Sequence, residues 1–170
     1  MELNRKILLP TIELSLEILL EEAKHIYTEA TELDVSTATI QSLKWLDWCK
    51  HNSSCGRNFL SACEVSADIS TRTHQITINR RHHGETTWLK NDYQFAKLFK
   101  VILHELNHIV WDDHGENFYY VLRKTGIVVG EPNGSFDSSD VAYLSEDIPF
   151  DSELYNRIQD IRTMILEKIL

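Results

Sequence analysis

The sequence predicts a single α+β domain in which helices flank a small antiparallel sheet. Segments near both ends carry apolar residues at helical spacing, whereas a stretch near the middle alternates apolar and polar residues. No repeat, low-complexity tract or linker divides the 170 residues. We therefore expect one domain, with a helical part over residues 1–55, a hairpin and metal-binding helices over 56–126, and a polar loop and helix over 127–170.

The first third of the chain carries two helix patterns. From Thr11 to Ala30, apolar residues recur every three or four positions, which predicts an amphipathic helix. A second helix is predicted from Ser36 to Lys50 on the same grounds. The sequence HNSSCGRN that follows is rich in turn-forming residues and ends this pattern.

Strict alternation in the next segment predicts a β-hairpin. Apolar and polar residues alternate from Cys63 to Ile69, and the alternation resumes around Ile76 and Ile78 after the turn sequence STRT. A period of two with one apolar face is typical of half-buried antiparallel strands. The sheet is therefore expected to be antiparallel.

Two helices are predicted next, separated by a short break. Asp92 is a suitable N-cap for a helix that reaches about Val110. A shorter helix is predicted to start at Asp113, with Glu116 three residues later in a capping-box arrangement, and Gly126 ends it.

A polar loop and one more helix complete the predicted fold. The stretch from Gly130 to Phe150 is polar and loop-like, and Asp151 is the expected N-cap of a C-terminal helix. The apolar face of that helix consists of Leu154, Ile158, Ile161, Ile165 and Ile169.

The composition is that of a folded globular protein and narrows the classes of function. Hydrophobic residues make up 42% and charged residues 25%, which argues against disorder. The formal net charge is -9 and no run of Lys or Arg is longer than Arg80-Arg81, whereas a nucleic-acid surface needs a basic stripe. Nucleic acid is therefore not an expected partner.

The same sequence indicates a cytoplasmic protein with no membrane segment. No stretch approaches the roughly 20 apolar residues of a membrane span. Glutamates interrupt the apolar runs near the N-terminus, which is unlike a targeting signal. The three cysteines lack CxxC spacing, so we expect free thiols in a reducing compartment.

The motif HELNH at residues 104–108 places two histidines on one helix face. Each helical residue turns by about 100°, so His104 and His108 lie about 40° apart and one turn along the axis. Their imidazoles can therefore bind one metal ion from the same side. In a continued helix His114 would lie about 240° away from His108, so the helix must stop or bend between Ile109 and His114. The residues WDDHG favour such a break.

The predicted site suits a catalytic zinc ion. Such a site uses three protein ligands and leaves a fourth position for water. We therefore assign His104, His108 and His114 as ligands of one Zn²⁺ per chain. Glu105 is predicted to be the general base that takes a proton from the water and later returns one to the leaving amine.

The motif resembles that of a known group of enzymes. HExxH followed by five residues, a third His and a Phe four positions later (HELNH-IVWDD-H-GEN-F) looks like the minimal zinc metallopeptidases of the SprT-like, WLM and YgjP-like kind. The resemblance covers mainly Asp92–Lys124 and implies a zincin-like fold with His114 supplied by the segment after the active-site helix. It also implies a protein or peptide substrate that is aligned along the strand before that helix, here the stretch Gln75–Arg80.

Two related patterns differ from this chain. WLM sequences often place an acidic residue after the third His, where this chain has Gly115. The metzincin pattern shares the His spacing but has Gly at the position of Trp111 and a methionine turn after the third His. The later methionine of this chain, Met164, falls inside the predicted C-terminal helix.

Three alternatives remain open from the sequence. The protein is either this peptidase, a non-enzymatic interaction module with a structural zinc, or a SprT-like protease that acts on DNA-bound proteins. Glu105 favours an enzyme, because a structural site needs no base, and the net charge of -9 weighs against DNA. A fourth and simpler alternative is a solvated helix face without metal, with which Lys97 and Lys100 on the same side agree.

A zinc peptidase also benefits from a hydrogen-bond donor to the oxyanion. The candidate donors, for which packing is the alternative role, are Tyr119, Tyr120, Tyr143 and Tyr155. His82 and His83 precede the metal-binding helix, and we interpret them as residues of a solvated loop.

Overall fold

The computed structural model describes residues 9–43, 61–65, 74–79, 87–111, 115–127 and 150–169. Within these ranges the fold is α+β, as predicted. The elements in chain order are α1 (Leu9–Thr31), β1 (Ala38–Leu43), β2 (Ser61–Val65), β3 (His74–Asn79), α2 (Thr87–Lys90), α3 (Asp92–His108), α4 (Glu116–Arg123) and α5 (Ser152–Ile169). No helix in the described part of the chain is long and apolar enough to cross a membrane.

The N-terminal helix confirms the prediction from its apolar spacing. α1 contains the whole predicted segment from Thr11 to Ala30. Its buried face lies against α3, α5 and the strand β1. The buried apolar residues of α1 are Leu16, Leu19, Leu20, Ala23, Ile26 and Tyr27.

The predicted helix over Ser36–Lys50 is wrong where the structure describes it, because residues 38–43 form the strand β1. The start of this strand also fits an alternation of inward and outward side chains, since Ala38 is buried, Thr39 is exposed and Ile40 is half-buried. A run this short does not distinguish the two periods. Pairing with β3 decides in favour of a strand. Residues 44–50 lie outside the described ranges.

The sheet has three strands in the order β1-β3-β2 and is mixed. The predicted hairpin segments do pair antiparallel through β2 and β3, with Cys63 opposite Ile76. β1, however, pairs parallel with β3, with Ile40 opposite Ile76. The prediction of an antiparallel sheet is therefore wrong, because β1 was assigned to a helix. Residues 66–69 and the STRT turn fall outside the described ranges.

The position of β3 corrects the expected substrate strand. β3 lies in the centre of the sheet and is hydrogen-bonded to a strand on each side, so it offers no free edge to a peptide. Ile76, Thr77 and Ile78 are all buried, so both of its faces are covered as well. The expectation that Gln75–Arg80 aligns a substrate is therefore wrong for β3.

α3 runs through the middle of the domain, against α1, α2, α4, α5 and the strands β2 and β3. Its N-cap is Asn91, whose Oδ1 accepts hydrogen bonds from two backbone N–H groups of the first turn (2.8 and 3.2 Å). The predicted cap, Asp92, is instead the first helical residue, and its carboxylate lies 2.9 Å from Nη1 of Arg162 on α5. The helix ends at His108, slightly before the predicted Val110.

α3 is buried on both its apolar and its polar face. Lys100 has only 1% of its surface exposed, although a solvated helix face would leave it in water. The interpretation of this face as solvated is therefore wrong. The buried residues of α3 are Phe95, Ala96, Leu98, Phe99, Lys100, Val101, Ile102, Leu103, His104, Glu105, Leu106 and Asn107.

α4 begins later than predicted. Its N-cap is Gly115, which has extended backbone and makes no side-chain cap hydrogen bond, so the helix does not use Glu116 in the predicted capping box. Asp113 lies outside the described ranges. The predicted stop is confirmed: Gly126 follows α4 with φ of +103°, a conformation that favours glycine.

The C-terminal helix confirms both its predicted cap and its predicted face. Oδ1 of Asp151 accepts a hydrogen bond of 2.8 Å from the backbone N–H of Leu154. Four of the predicted apolar residues are buried and Ile169 is partly buried. The backbone N–H of Asp151 also donates to the carbonyl oxygen of Gly126 (2.8 Å), which joins the start of α5 to the end of α4.

Candidate metal centre

The last turn of α3 carries His104, Glu105 and His108, all in the predicted positions on one helix. His104 has 1% of its surface exposed and Glu105 has 5%, whereas His108 is half-buried. Burying two polar side chains of one turn is costly unless each has a specific partner or ligand. The turn therefore has the burial pattern of a binding site with one open side at His108.

The two imidazoles converge on each other. Nε2 of His104 and Nε2 of His108 lie 3.2 Å apart, and their ring centroids lie 4.9 Å apart at 76°. Two nitrogens bound to one zinc at about 2.0–2.1 Å with a tetrahedral angle lie roughly 3.3–3.4 Å from each other. The observed separation is that of a hydrogen bond between the two imidazoles, and it is also close to the separation of two ligands of the same ion.

A carbonyl group determines which nitrogen of His108 carries the proton. Nδ1 of His108 lies 3.0 Å from the carbonyl oxygen of Trp111. A carbonyl oxygen can only accept a hydrogen bond, so Nδ1 must be the protonated atom and must donate. In a neutral imidazole the lone pair is then on Nε2, the atom that faces His104. Such a contact orients most histidines that bind metals.

An aromatic ring covers the histidine pair. Phe118 on α4 is fully buried, and its ring centroid lies 4.9 Å from that of His104 and 4.7 Å from that of His108. The angle between ring planes is 66° for His104, an edge-on contact, and 38° for His108. Phe118 therefore restricts how both imidazoles can turn. The family pattern includes this Phe, but its contact with both rings could not be deduced from spacing.

Asn107 is a buried residue beside the histidine pair that the sequence did not single out. It lies in the motif just before His108 and is fully buried. Its side-chain oxygen accepts a hydrogen bond from the hydroxyl of Tyr27 on α1. Its side-chain nitrogen donates one to the backbone carbonyl of Phe118 on α4. The histidines and the glutamate of the motif can be recognised in the sequence because these residue types suit metal chemistry, whereas nothing local distinguishes Asn107 from an exposed polar residue.

The third predicted ligand, His114, lies outside the described residues. Its neighbour Gly115 is described and is the N-cap of α4, the helix that carries Phe118. Within the described ranges no group of three or more His, Cys, Asp or Glu side chains is arranged to hold a metal ion. The structure therefore brings His104 and His108 together and leaves the assignment of His114 as a prediction.

The other candidates are placed as follows. Tyr119 is buried and its ring packs edge-on against Phe118, with centroids 5.4 Å apart. Tyr120 is exposed, with Nζ of Lys124 5.0 Å from its ring centroid, and Tyr155 is half-buried on α5. Tyr143, His82 and His83 lie outside the described ranges.

Comparisons with known proteins give no relative. No model of a protein family, no curated protein and no solved structure matches this chain. The motif and the geometry of the site are therefore the grounds on which a function can be inferred.

Proposed function

We propose that the protein is a zinc-dependent metallopeptidase that holds one Zn²⁺ through His104, His108 and His114. The observation that carries this proposal is the 3.2 Å separation of the two Nε2 atoms. The bond from Nδ1 of His108 to a carbonyl supports it, because the lone pair of His108 is then directed to the same point. Imidazole nitrogens are ligands that zinc prefers.

Held by His104, His108 and His114, a zinc ion would supply Lewis acidity, which lowers the pKa of a coordinated water towards about 7 and polarises a substrate carbonyl. Glu105 supplies the base for this reaction. Its carboxylate accepts the proton of the attacking water and later delivers a proton to the leaving amine, as a general base and then a general acid. Glu105 is buried, as is His104 beside it.

The peptide would align along β2 instead of β3. Among the described strands, β2 is an edge of the sheet and lies against α3, whereas the other edge strand, β1, lies against α1. An extended peptide that adds to β2 would gain main-chain hydrogen bonds beside the helix that carries Glu105. The substrate would therefore still align along a strand, but along β2 and not along β3, which the sequence indicated.

Elemental analysis of protein purified without a metal-affinity step tests the metal site. We expect about one zinc per chain, and we expect His104→Ala and His108→Ala to lose it. His25→Ala is the matched control, since the side chain of His25 is 72% exposed on α1. Full zinc retention in both ligand variants would refute the assignment. A wild-type protein that holds zinc but shows no peptide cleavage that depends on Glu105 would be an interaction module.

A further inference from the structure

Asn107 joins three helices through one buried side chain. Its Oδ1 accepts a hydrogen bond of 2.6 Å from the hydroxyl of Tyr27 on α1. Its Nδ2 donates a hydrogen bond of 2.8 Å to the main-chain carbonyl oxygen of Phe118 on α4. We propose that Asn107 is a positioning residue of the metal centre, an inference that rests on the proposed function.

The chemistry of the partners fixes the direction of both bonds. A carbonyl oxygen can only accept, so the atom of Asn107 that faces Phe118 must be the amide nitrogen. The atom that faces Tyr27 is then the amide oxygen, and the tyrosine hydroxyl must donate. A reversed amide would place two acceptors against each other. The arrangement therefore holds α4 at one position relative to α3.

Asn107 acts on the histidines through Phe118. The carbonyl that Asn107 binds and the ring that contacts both imidazoles belong to this one residue. A shift of that carbonyl displaces the ring, because few bonds separate them and the ring is fully buried. The ring limits rotation of His104 and His108, so its displacement lets their Nε2 atoms diverge. Asn107 thus keeps the ligand pair convergent without being a ligand.

Zinc affinity measured against a coloured chelator tests this role, with metal-free stability measured separately by urea unfolding. We expect Asn107→Leu to weaken zinc binding by about 10-fold or more, as loss of groups that orient ligands does. The visible absorption of the cobalt-substituted protein should change too, because it reports ligand geometry. Ile165→Ala is the control: it truncates a buried side chain on α5 and lowers stability, but should leave affinity within about twofold.

A second variant tests the route. Phe118→Leu keeps the carbonyl but removes the ring, so it should weaken zinc binding by a similar factor even if Asn107→Leu fails to fold. Where both fold, the double variant should bind zinc no more weakly than the single variant of lower zinc affinity, because Asn107 acts through Phe118.

The outcomes separate this inference from the proposed function. Normal zinc binding by the wild type together with unchanged affinity in Asn107→Leu would show that Asn107 only stabilises the fold. Additive losses in the double variant would show that Asn107 does not act through the ring of Phe118. A wild type that binds no zinc would overturn the proposed function, and this inference with it.

Discussion

The hydroxyl of Tyr27 lies 2.6 Å from Oδ1 of Asn107 and links α1 to the centre of the HELNH motif. Tyr27 is itself fully buried, and burial raises the pKa of its hydroxyl above the ordinary value of 10.0. The N-terminal helix is thereby joined to α3 by a neutral, buried hydrogen bond, which should contribute to stability.

We expect Tyr27→Phe to lower the free energy of unfolding by about 1–3 kcal/mol at neutral pH, because it leaves the buried Oδ1 of Asn107 without this donor. Urea unfolding measures the change. Tyr120→Phe, the same substitution at an exposed position of α4, is the matched control. A loss no larger than in Tyr120→Phe would show that the Tyr27–Asn107 bond does not stabilise the fold.

The raised pKa of Tyr27 also predicts a dependence on pH. The folded protein keeps the tyrosine proton at pH values where the unfolded chain has lost it, so this contribution to stability is complete below about pH 10 and declines as the pH rises further. The slope reaches at most about 1.4 kcal/mol per pH unit. Tyr27→Phe should lack this part of the alkaline decline, and identical pH profiles for the two proteins would contradict the buried, protonated tyrosine.

The two edges of β3 lead to a prediction about the substrate strand. Thr77→Pro should prevent folding, because β3 is bonded on both sides and proline removes a donor and distorts the strand. In β2, successive N–H groups point to opposite edges, so of two neighbours one points away from β3. Of the variants Ala62→Pro and Cys63→Pro, we therefore expect one to unfold more easily and the other to fold and bind zinc.

The folded proline variant of β2 is the informative one. It should lose cleavage of peptides while it keeps zinc, because it removes a main-chain donor to the substrate. Zinc content and peptide turnover, measured on the same preparation, check this. Unchanged turnover in both variants would mean that the substrate is aligned elsewhere.

Much of the fold could be predicted because it depends on local patterns. The faces of α1 and α5, the cap at Asp151 and the helical turn from His104 to His108 each follow from residues within a few positions of one another. β1 could not be predicted in this way. Its identity depends on parallel pairing with β3, and no residue of one segment indicates its partner in the other.

The candidate site was predictable to the same extent. Metal chemistry singles out His104, Glu105 and His108 because few other roles need these residue types at this spacing. The role of Asn107 depends instead on the packing of three helices, which brings Tyr27 to it from 80 positions away along the chain. A polar residue that joins distant elements has no local signature.

Gly126 predicts a cost for any side chain at the end of α4. Any residue other than glycine would be strained at its φ of +103°. A Cβ at this position would also lie 2.8 Å from Cβ of Leu154 and 2.9 Å from Oδ2 of Asp151. We expect Gly126→Ala to lower the free energy of unfolding by about 1–3 kcal/mol. Asn156→Ala, at an exposed position of α5, should stay within about 0.5 kcal/mol. Equal stability of the two variants in urea unfolding would contradict the described turn.

The rate of peptide cleavage by Glu105→Gln, at equal zinc content, decides whether the protein is a zinc peptidase with Glu105 as its base. The substitution keeps size and shape but removes the carboxylate that takes the proton of the water, so cleavage should fall by about 10²–10⁴-fold. Glu116→Gln is the matched control, an exposed glutamate on α4 that should leave the rate unchanged. The substrates are casein and a peptide library, with a chelator that should abolish wild-type cleavage. Cleavage by Glu105→Gln at the wild-type rate, or cleavage that the chelator leaves intact, would contradict a zinc peptidase with Glu105 as its base.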